Sequence, residues 1–188
     1  YGFILGEVVR RVTGQPIDKF LNEQFFRPMG LHHTSMKMSP RDLRSSPLEV
    51  AVSSELKGTA FLFNIPAIRS ALLPAANLRS TARELGTFFT MLLNDGLYEG
   101  KRYLSENIIR LAAQSHFDGY DASFKFNINW GLGFIIGGGK YLSTNPREWI
   151  FGWGSSLETF AGCGMGTCMV WDDRKSETVT AFTCNGML

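Results

Sequence analysis

Apolar residues in the first 28 positions recur with the spacing of helices. The first stripe consists of Leu5, Val8, Val9 and Val12. The second consists of Ile17, Phe20, Leu21 and Phe25. Both stripes follow the i, i+3, i+4, i+7 pattern of an amphipathic helix. Gly14 is a typical residue just past a helix end, and Pro16 suits the first turn of the next helix. The pattern therefore predicts two helices, the second ending at Arg27-Pro28.

The middle of the chain predicts a long loop followed by two further helices. Residues 35–77 carry weak periodicity and four scattered prolines, which is typical of a functional loop or lid. Residues 81–84 have the form of a capping box, and Asn94-Asp95-Gly96 predicts the end of that helix. Ser105 predicts the cap of another helix. Its expected inward residues are Ile108, Leu111 and Ala112.

From Asn129 onward the chain is rich in aromatic, β-branched and glycine residues, which favours short strands. The predicted strands are 129–136, 147–152, 162–171 and 177–184, with residues 172–175 connecting the last two. Helices first and antiparallel strands last favour an α+β fold. The predicted organisation is a helical subdomain portion, 1–128, with the lid-like loop 35–77, followed by the antiparallel strands of 129–188.

Composition narrows the class of partner. Hydrophobic residues make up 44% of the 188 residues and charged residues 19%, which is typical of a folded domain. The net charge of +2 gives no reason to expect nucleic acid as a partner. No apolar run approaches the roughly 20 residues that span a bilayer. The localisation stays open, because a targeting segment is expected, if anywhere, before Tyr1.

Neither the cysteines nor the histidines predict a metal site. Cys163 and Cys168 are five residues apart in one predicted strand, so their side chains are expected on opposite faces. Together with Cys184 they are interpreted as buried thiols. The three histidines lie at no zinc-ligand spacing. We therefore expect no metal and no cofactor.

Two short motifs are candidates for chemistry. Ser54-Glu-Leu-Lys57 has the Ser-x-x-Lys form that places a lysine amine beside a serine hydroxyl when both lie on one helical turn. It lies in the weakly patterned middle stretch, so we interpret it as a chance match. In Phe151-Gly-Trp-Gly-Ser-Ser156, glycines would let backbone amides approach a ligand. A glycine turn with a buried tryptophan is the simpler interpretation of that segment taken alone.

Taken in order along the chain, several segments resemble the serine β-lactamase and DD-peptidase superfamily. The likeness is greatest to class C β-lactamases, penicillin-binding-protein-like hydrolases and family VIII carboxylesterases, and it covers nearly the whole chain. The segments that carry it are residues 1–14 (YGFILGEVVRRVTG), 26–34 (FRPMGLHHT), 74–96 (PAANLRSTARELGTFFTMLLNDG), 130–134 (WGLGF), 151–155 (FGWGS) and the strand ending in 183–185 (TCN).

The resemblance implies a β-lactamase/transpeptidase-like fold whose N-terminal part and C-terminal helix are missing here. In that family the nucleophile and its lysine come from a Ser-x-x-Lys, and a catalytic tyrosine comes from a Tyr-x-Asn. Both motifs are expected upstream of Tyr1, and no Tyr-x-Asn occurs in the 188 residues. The catalytic residues of the whole protein are therefore unknown from this sequence.

The resemblance also implies a substrate-binding strand. Trp153, Gly154 and Ser155 match the three positions of the family's third motif, and the backbone amide of Ser156 would be an oxyanion donor. Tryptophan at the first position resembles the esterase-like members. Because no basic side chain stands there, we expect ester or amide substrates rather than penicillins.

The sequence therefore predicts a fragment of a serine hydrolase that forms an acyl-enzyme and is inactive alone. The alternative is a non-catalytic binding or sensor module on the same fold. Because a sheet without its N-terminal strands would expose an edge and an apolar face, the chain is expected to pair with another copy or with a companion chain.

Overall fold

The computed structural model describes residues 1–137, 151, 155–164 and 168–187. They form two compact units. The first unit comprises Tyr1–Glu84, Gly164–Cys168 and Phe182–Leu188, and the second comprises Leu85–Cys163 and Met169–Ala181. The predicted division into 1–128 and 129–188 concerns the subdomains of a complete family member and stays a prediction.

The helices are, in chain order, α1 Gly2–Thr13, α2 Ile17–Leu21 with a π-helical continuation Asn22–Phe26, α3 Pro40–Ser45, a 3₁₀ turn Ser54–Leu56, α4 Lys57–Asn64, α5 Pro66–Ser70, α6 Ala82–Leu93 and α7 Glu106–Ala112. The strands are β1 Val50–Ala51, β2 Leu97–Tyr98, β3 Lys101–Arg102, β4 Phe117–Asp121, β5 Phe126–Trp130, β6 Ile135–Ile136, β7 Thr159–Gly164, β8 Cys168–Asp173, β9 Thr178–Thr183 and β10 Gly186–Met187.

The main sheet of the described residues has the strand order β4-β5-β6-β7-β8-β9, so each strand lies beside its neighbour in sequence. The pairings from β4 to β7 are antiparallel, with Trp130 opposite Ile135 and Ile136 opposite Phe160. A separate short parallel pair joins β1 to β10, with Val50 opposite Gly186. Helices come first and most of the strands last, as the sequence predicts for an α+β chain.

The predicted helix ends are confirmed. Gly14 has a left-handed backbone, φ 73°, and its amide donates to the Arg10 carbonyl at the end of α1. The Ser105 side chain accepts from the Ile108 amide at the start of α7. The Thr81 hydroxyl accepts from the Glu84 amide at 3.2 Å in the first turn of α6. These caps satisfy backbone groups that a helix end leaves without partners.

Glu84 ties the start of α6 to the turn at residues 32–33. Its side chain is 7% exposed. The carboxylate accepts from the His33 amide at 2.9 Å and from the Thr34 hydroxyl at 2.6 Å. A buried carboxylate is stable only when it is hydrogen-bonded in this way. The carboxylate therefore holds residues 33–34 against the first turn of α6.

Glu84→Ala is expected to lower the free energy of unfolding by about 2 kcal/mol, because it removes the acceptor of the partly buried His33 amide and of the buried Thr34 hydroxyl. Urea denaturation followed by circular dichroism measures the loss. Glu106→Ala is the matched control: Glu106 also begins a helix, but it is exposed and pairs with Arg110 on the surface. A loss as small for Glu84→Ala as for Glu106→Ala would contradict this account.

Residues 35–77 contain more regular structure than their weak periodicity predicts. Three α-helices and a 3₁₀ turn lie in this stretch. Arg69 is 3% exposed and donates to the carbonyls of Ser46 and Pro47. Asn77 donates to the carbonyls of Ile68 and Ala71. Side chains bonded to the backbone thus organise the segment, and its lid-like role stays a prediction.

The predicted strand boundaries needed correction. Strand β4 at Phe117–Asp121 lies before residue 129, where the strands were predicted to begin. The stretch 129–136 is not one strand, because β5 and β6 pair with each other antiparallel across residues 131–134, where Gly133 has φ 84°. The stretch 162–171 is likewise two neighbouring strands, β7 and β8. The predicted strand 177–184 is confirmed as β9. The predicted strand 147–152 lies outside the described residues except for Phe151.

Some predicted burial is also wrong. Cys163 and Cys184 are exposed rather than buried, and Cys163 and Cys168 lie on different strands. In α7 the buried residue is Ile109, whereas Ile108 and Leu111 are about half exposed. The core of the second unit contains a cluster of aromatic rings. The Phe160 ring centroid lies 6.0 Å from that of Phe89 and 5.1 Å from that of Phe134.

Candidate functional site

The predicted substrate-binding segment is described only at its ends. Trp153 and Gly154 lie outside the described residues. Phe151, Ser155 and Ser156 are described, and all three are partly buried. The site is therefore built from the contacts that these flanking residues make.

Strand β8 contacts the segment near both ends. The Phe151 ring lies 6.4 Å from the Trp171 ring, measured between centroids. Ser156 contacts Asp173, with 2.7 Å from its amide nitrogen to Oδ2 and 2.6 Å from its hydroxyl to Oδ1. Positions 171 and 173 share a face of the strand, because side chains alternate along it. One face of β8 thus fixes both flanks of the predicted site.

Asp173 also closes the turn that follows β8. Its Oδ1 accepts from the Lys175 amide at 3.0 Å and from the Ser176 amide at 3.4 Å. Burial by itself raises the pKa of the Asp173 carboxyl, but the hydrogen bonds from Ser156, Lys175 and Ser176 outweigh it and hold the pKa below its usual value. Asp173 is therefore ionised at neutral pH and joins the predicted site to the turn between β8 and β9.

The amide predicted as an oxyanion donor already has an anionic acceptor. The Ser156 N–H donates to a carboxylate, which is the same kind of partner that a tetrahedral oxyanion would be. A substrate oxygen at this position would have to replace Asp173. The role of Ser156 as a donor, like the roles of Trp153, Gly154 and Ser155, stays a prediction.

Asp172 lies beside Asp173 in sequence but in a very different environment. It is fully buried, and among the described residues neither carboxyl oxygen has a hydrogen-bond partner that meets normal geometry. Burial raises the pKa of Asp172 to about 8, and the carboxylates of Asp173 and Asp95 also raise it, whereas Arg174 and the Phe160 amide partly offset the rise. Asp172 is therefore protonated at neutral pH.

Arg174 connects the same turn to the end of α6. Its Nη1 lies 2.8 Å from Asp95 Oδ1, and both side chains are partly buried. The guanidinium also lies over the Phe160 ring, 5.8 Å from the centroid. A charge-assisted pair and a cation–π contact thus fix the turn that holds Asp173.

The sequence reasoning missed the roles of Asp172 and Asp173, because it interpreted both as residues of a hairpin connection. A signal was present: two carboxyl groups at the end of an apolar run are unusual, since Asp is rarely fully buried. The environment of Asp172, however, depends on contacts outside the turn, with the Phe160 amide of β7 and the Asp95 carboxylate.

The Ser-x-x-Lys match is helical in the structure, contrary to its weak sequence pattern. Ser54 lies in the 3₁₀ turn and Lys57 begins α4, so the two residues are one turn apart. Both side chains are exposed. Within the described residues neither makes a side-chain hydrogen bond or ion pair, so nothing activates the Ser54 hydroxyl as a nucleophile.

Other features of the described residues add no cofactor site. No group of three or more His, Cys, Asp or Glu residues is placed to hold a metal ion in this part of the chain. A groove of about 370 Å³ in the first unit is bordered by an ion pair, with 2.5 Å between Lys37 Nζ and Asp18 Oδ2. No helix in the described part is both long and apolar enough to cross a bilayer.

The comparisons with known proteins identify the family. Residues 1–188 match the family described as Beta-lactamase. The chain belongs to the β-lactamase family. The resemblance drawn from the ordered segments is thereby confirmed, and so is the predicted class of serine-hydrolase-like proteins.

Relatives of this chain include a protein of Escherichia coli K12 named "Putative D-alanyl-D-alanine carboxypeptidase". The two sequences are 24% identical, and the match covers 94% of this chain and 42% of that protein. Among solved structures, a penicillin-binding protein homologue from Caulobacter crescentus has a TM-score of 0.77 at 22% identity and covers 100% of this chain and 51% of its own. A family VIII carboxylesterase has a TM-score of 0.78 at 22% identity, covering 97% of this chain and 50% of its own.

These neighbours confirm the α+β β-lactamase/transpeptidase-like fold. The chain spans about half the length of each solved neighbour and 42% of the E. coli relative. About half or more of each of these proteins therefore has no counterpart in the 188 residues.

Proposed function

We propose that the polypeptide containing this chain is a serine hydrolase that cleaves an ester or amide through an acyl-enzyme. The observation that carries the proposal is the family match over all 188 residues. The names of the relatives support the reaction class, because a carboxypeptidase cleaves an amide bond and a carboxylesterase an ester bond. Both reactions pass through attack on a carbonyl carbon, which an acyl-enzyme mechanism accommodates.

In this proposal the segment 151–156 lines the substrate cleft, with Trp153 at its first motif position. Its support from the structure is indirect: Trp171 and Asp173 hold the flanks of the segment on β8. A tryptophan supplies apolar contact area and no positive charge. The proposed substrates are therefore neutral esters or amides rather than compounds that are recognised through their own carboxylate group.

The chain alone is proposed to be inactive. Its single Ser-x-x-Lys places Ser54 and Lys57 on an exposed turn where they do not bond to each other, and the sequence contains no Tyr-x-Asn. A nucleophilic serine needs a base within hydrogen-bond reach. The proposal therefore assigns the nucleophile to residues outside these 188.

Fluorophosphonate labelling tests this assignment, because the reagent reacts with activated serines. We expect the full-length polypeptide to be labelled at a serine outside the 188 residues and to hydrolyse a nitrophenyl ester. The 188-residue chain is expected to show neither property. The Ser54→Ala variant is the matched control and should label as strongly as the unchanged full-length protein. An adduct on Ser54, or none on the full-length protein, would refute the proposal.

The alternative function is a non-catalytic binding or sensor module on the same fold. The unengaged Ser54 and Lys57 side chains favour it. This alternative predicts a full-length protein that retains affinity for a carbonyl ligand but gives no serine adduct, so the same labelling experiment separates the two functions.

A further inference from the structure

Helix α1 carries an apolar stripe whose members the described residues leave at least half exposed. Its members are Tyr1, Ile4, Leu5, Val8 and Val12. Ile4 is 71% and Val12 80% exposed, and Leu5 and Val8 are about half exposed. Positions 1, 5, 8 and 12 alternate steps of four and three, which is the spacing of a helix that packs along another helix. Over about 16 Å of helix the stripe contains no charged residue.

A different face of α1 attaches the helix to its own unit. Gly2 and Gly6 are its buried residues. A Cβ at Gly2 would lie 2.8 Å from the Ala75 Cα, and one at Gly6 would lie 3.1 Å from the Pro74 side chain. The helix thus packs on residues 74–75 through its glycines, which leaves its apolar stripe for another partner.

The charged face of α1 is satisfied internally. Glu7 accepts from Arg10 at 2.7 Å and from Arg11 at 2.8 Å. Hydrogen bonds from these two guanidinium groups lower the pKa of Glu7 to about 2. Both guanidinium groups are thus bonded to the same carboxylate on their own helix, and the members of the apolar stripe are uncharged. The stripe therefore fits an uncharged, apolar surface rather than an acidic or basic one.

We propose that the stripe on α1 is the docking surface for an apolar helix from the part of the β-lactamase fold that lies outside the 188 residues. About half of each solved neighbour has no counterpart in this chain, although the matched half superposes at a TM-score of 0.77 or above. Exposed apolar stripes of this length mark surfaces that are buried in the working protein. The proposal goes beyond the reaction proposed above and does not depend on it.

Thermal unfolding of the full-length polypeptide tests the proposal with Val8→Asp. We expect this variant to lower the Tm by more than about 5 °C, because it places a charge in a buried helix contact. Val8→Ile keeps the side chain apolar, so its Tm should lie within about 2 °C of that of the unchanged protein. Arg11→Ala is the matched control on the charged face of the same helix, and it should shift the Tm by less than about 1 °C.

The alternatives give different outcomes. If a second copy of the chain covers the stripe, light scattering will show a dimer that Val8→Asp converts to monomer, and the proposal is overturned. If Val8→Asp shifts the Tm no more than Arg11→Ala does, nothing covers the stripe and the proposal also fails. A Val8→Asp protein that does not fold at all, beside a folded Val8→Ile protein, supports the docking surface.

Discussion

Asp172→Asn is expected to stabilise the protein increasingly as the pH rises from about 5 to about 8. The folded protein raises the pKa of Asp172 to about 8 through burial, whereas an aspartate in an unfolded chain titrates near 4. Between these values the folded state holds a proton that the unfolded state has released. Stability therefore falls as the pH rises through this window, and it is highest below the unfolded pKa. Asparagine has a similar shape and is neutral at every pH.

The difference in free energy of unfolding between Asp172→Asn and the unchanged protein should grow by about 1 kcal/mol per pH unit over this range. Urea denaturation at pH 5, 6, 7 and 8 measures it. The neighbouring side chains of Arg174, Asp95 and Asp173 are present in both proteins, so their own contributions to stability largely cancel in the difference.

Asp121→Asn is the matched control for that experiment. The Phe124 amide and the Trp130 indole hold the pKa of Asp121 below its usual range, so it stays ionised from pH 5 to 8. Its difference from the unchanged protein should be constant across this window. Parallel curves for Asp172→Asn as well would mean that Asp172 is ionised in the folded protein, and would contradict the buried, protonated carboxyl.

Features that depend on residues close together in sequence were predictable from the sequence. Gly14, Thr81 and Ser105 mark helix ends because each acts on the backbone within four residues. The order of helices and strands also followed from local periodicity. The errors at 129–136 and 162–171 share one cause: a run of strand-forming residues does not show where the chain turns back and pairs with itself. The pairing of β5 with β6, where Trp130 lies opposite Ile135, and of β7 with β8 depends on tertiary structure.

The apolar face of α1 shows a second limit. Periodicity correctly predicts a helix, but it cannot tell which side meets the rest of the unit. Here the face with Gly2 and Gly6 meets the unit, because Ala75 approaches Gly2 too closely for a Cβ and Pro74 leaves little space at Gly6. The same reasoning applies to the site, where the partner of the Ser156 amide is a carboxylate 17 residues away.

Asp173→Ala is expected to lower the free energy of unfolding by about 3 kcal/mol. The change removes the acceptor of the Ser156 amide and hydroxyl and of the Lys175 and Ser176 amides. Unsatisfied buried donors of this kind cost about 1–3 kcal/mol each, less where water reaches them. Ser156→Ala removes only the hydroxyl and should cost about 1 kcal/mol.

A double-mutant cycle separates the anchoring contact from the turn. If Asp173 acts on the site through Ser156, the two losses should be non-additive by about 0.5–1 kcal/mol, because the double variant loses the shared hydroxyl contact only once. Glu158→Ala is the matched control, an exposed carboxylate two residues from Ser156, and should change stability by less than about 0.5 kcal/mol. Strictly additive losses would contradict an anchor through the hydroxyl. They would mean that Asp173 acts through the backbone amides of Ser156, Lys175 and Ser176.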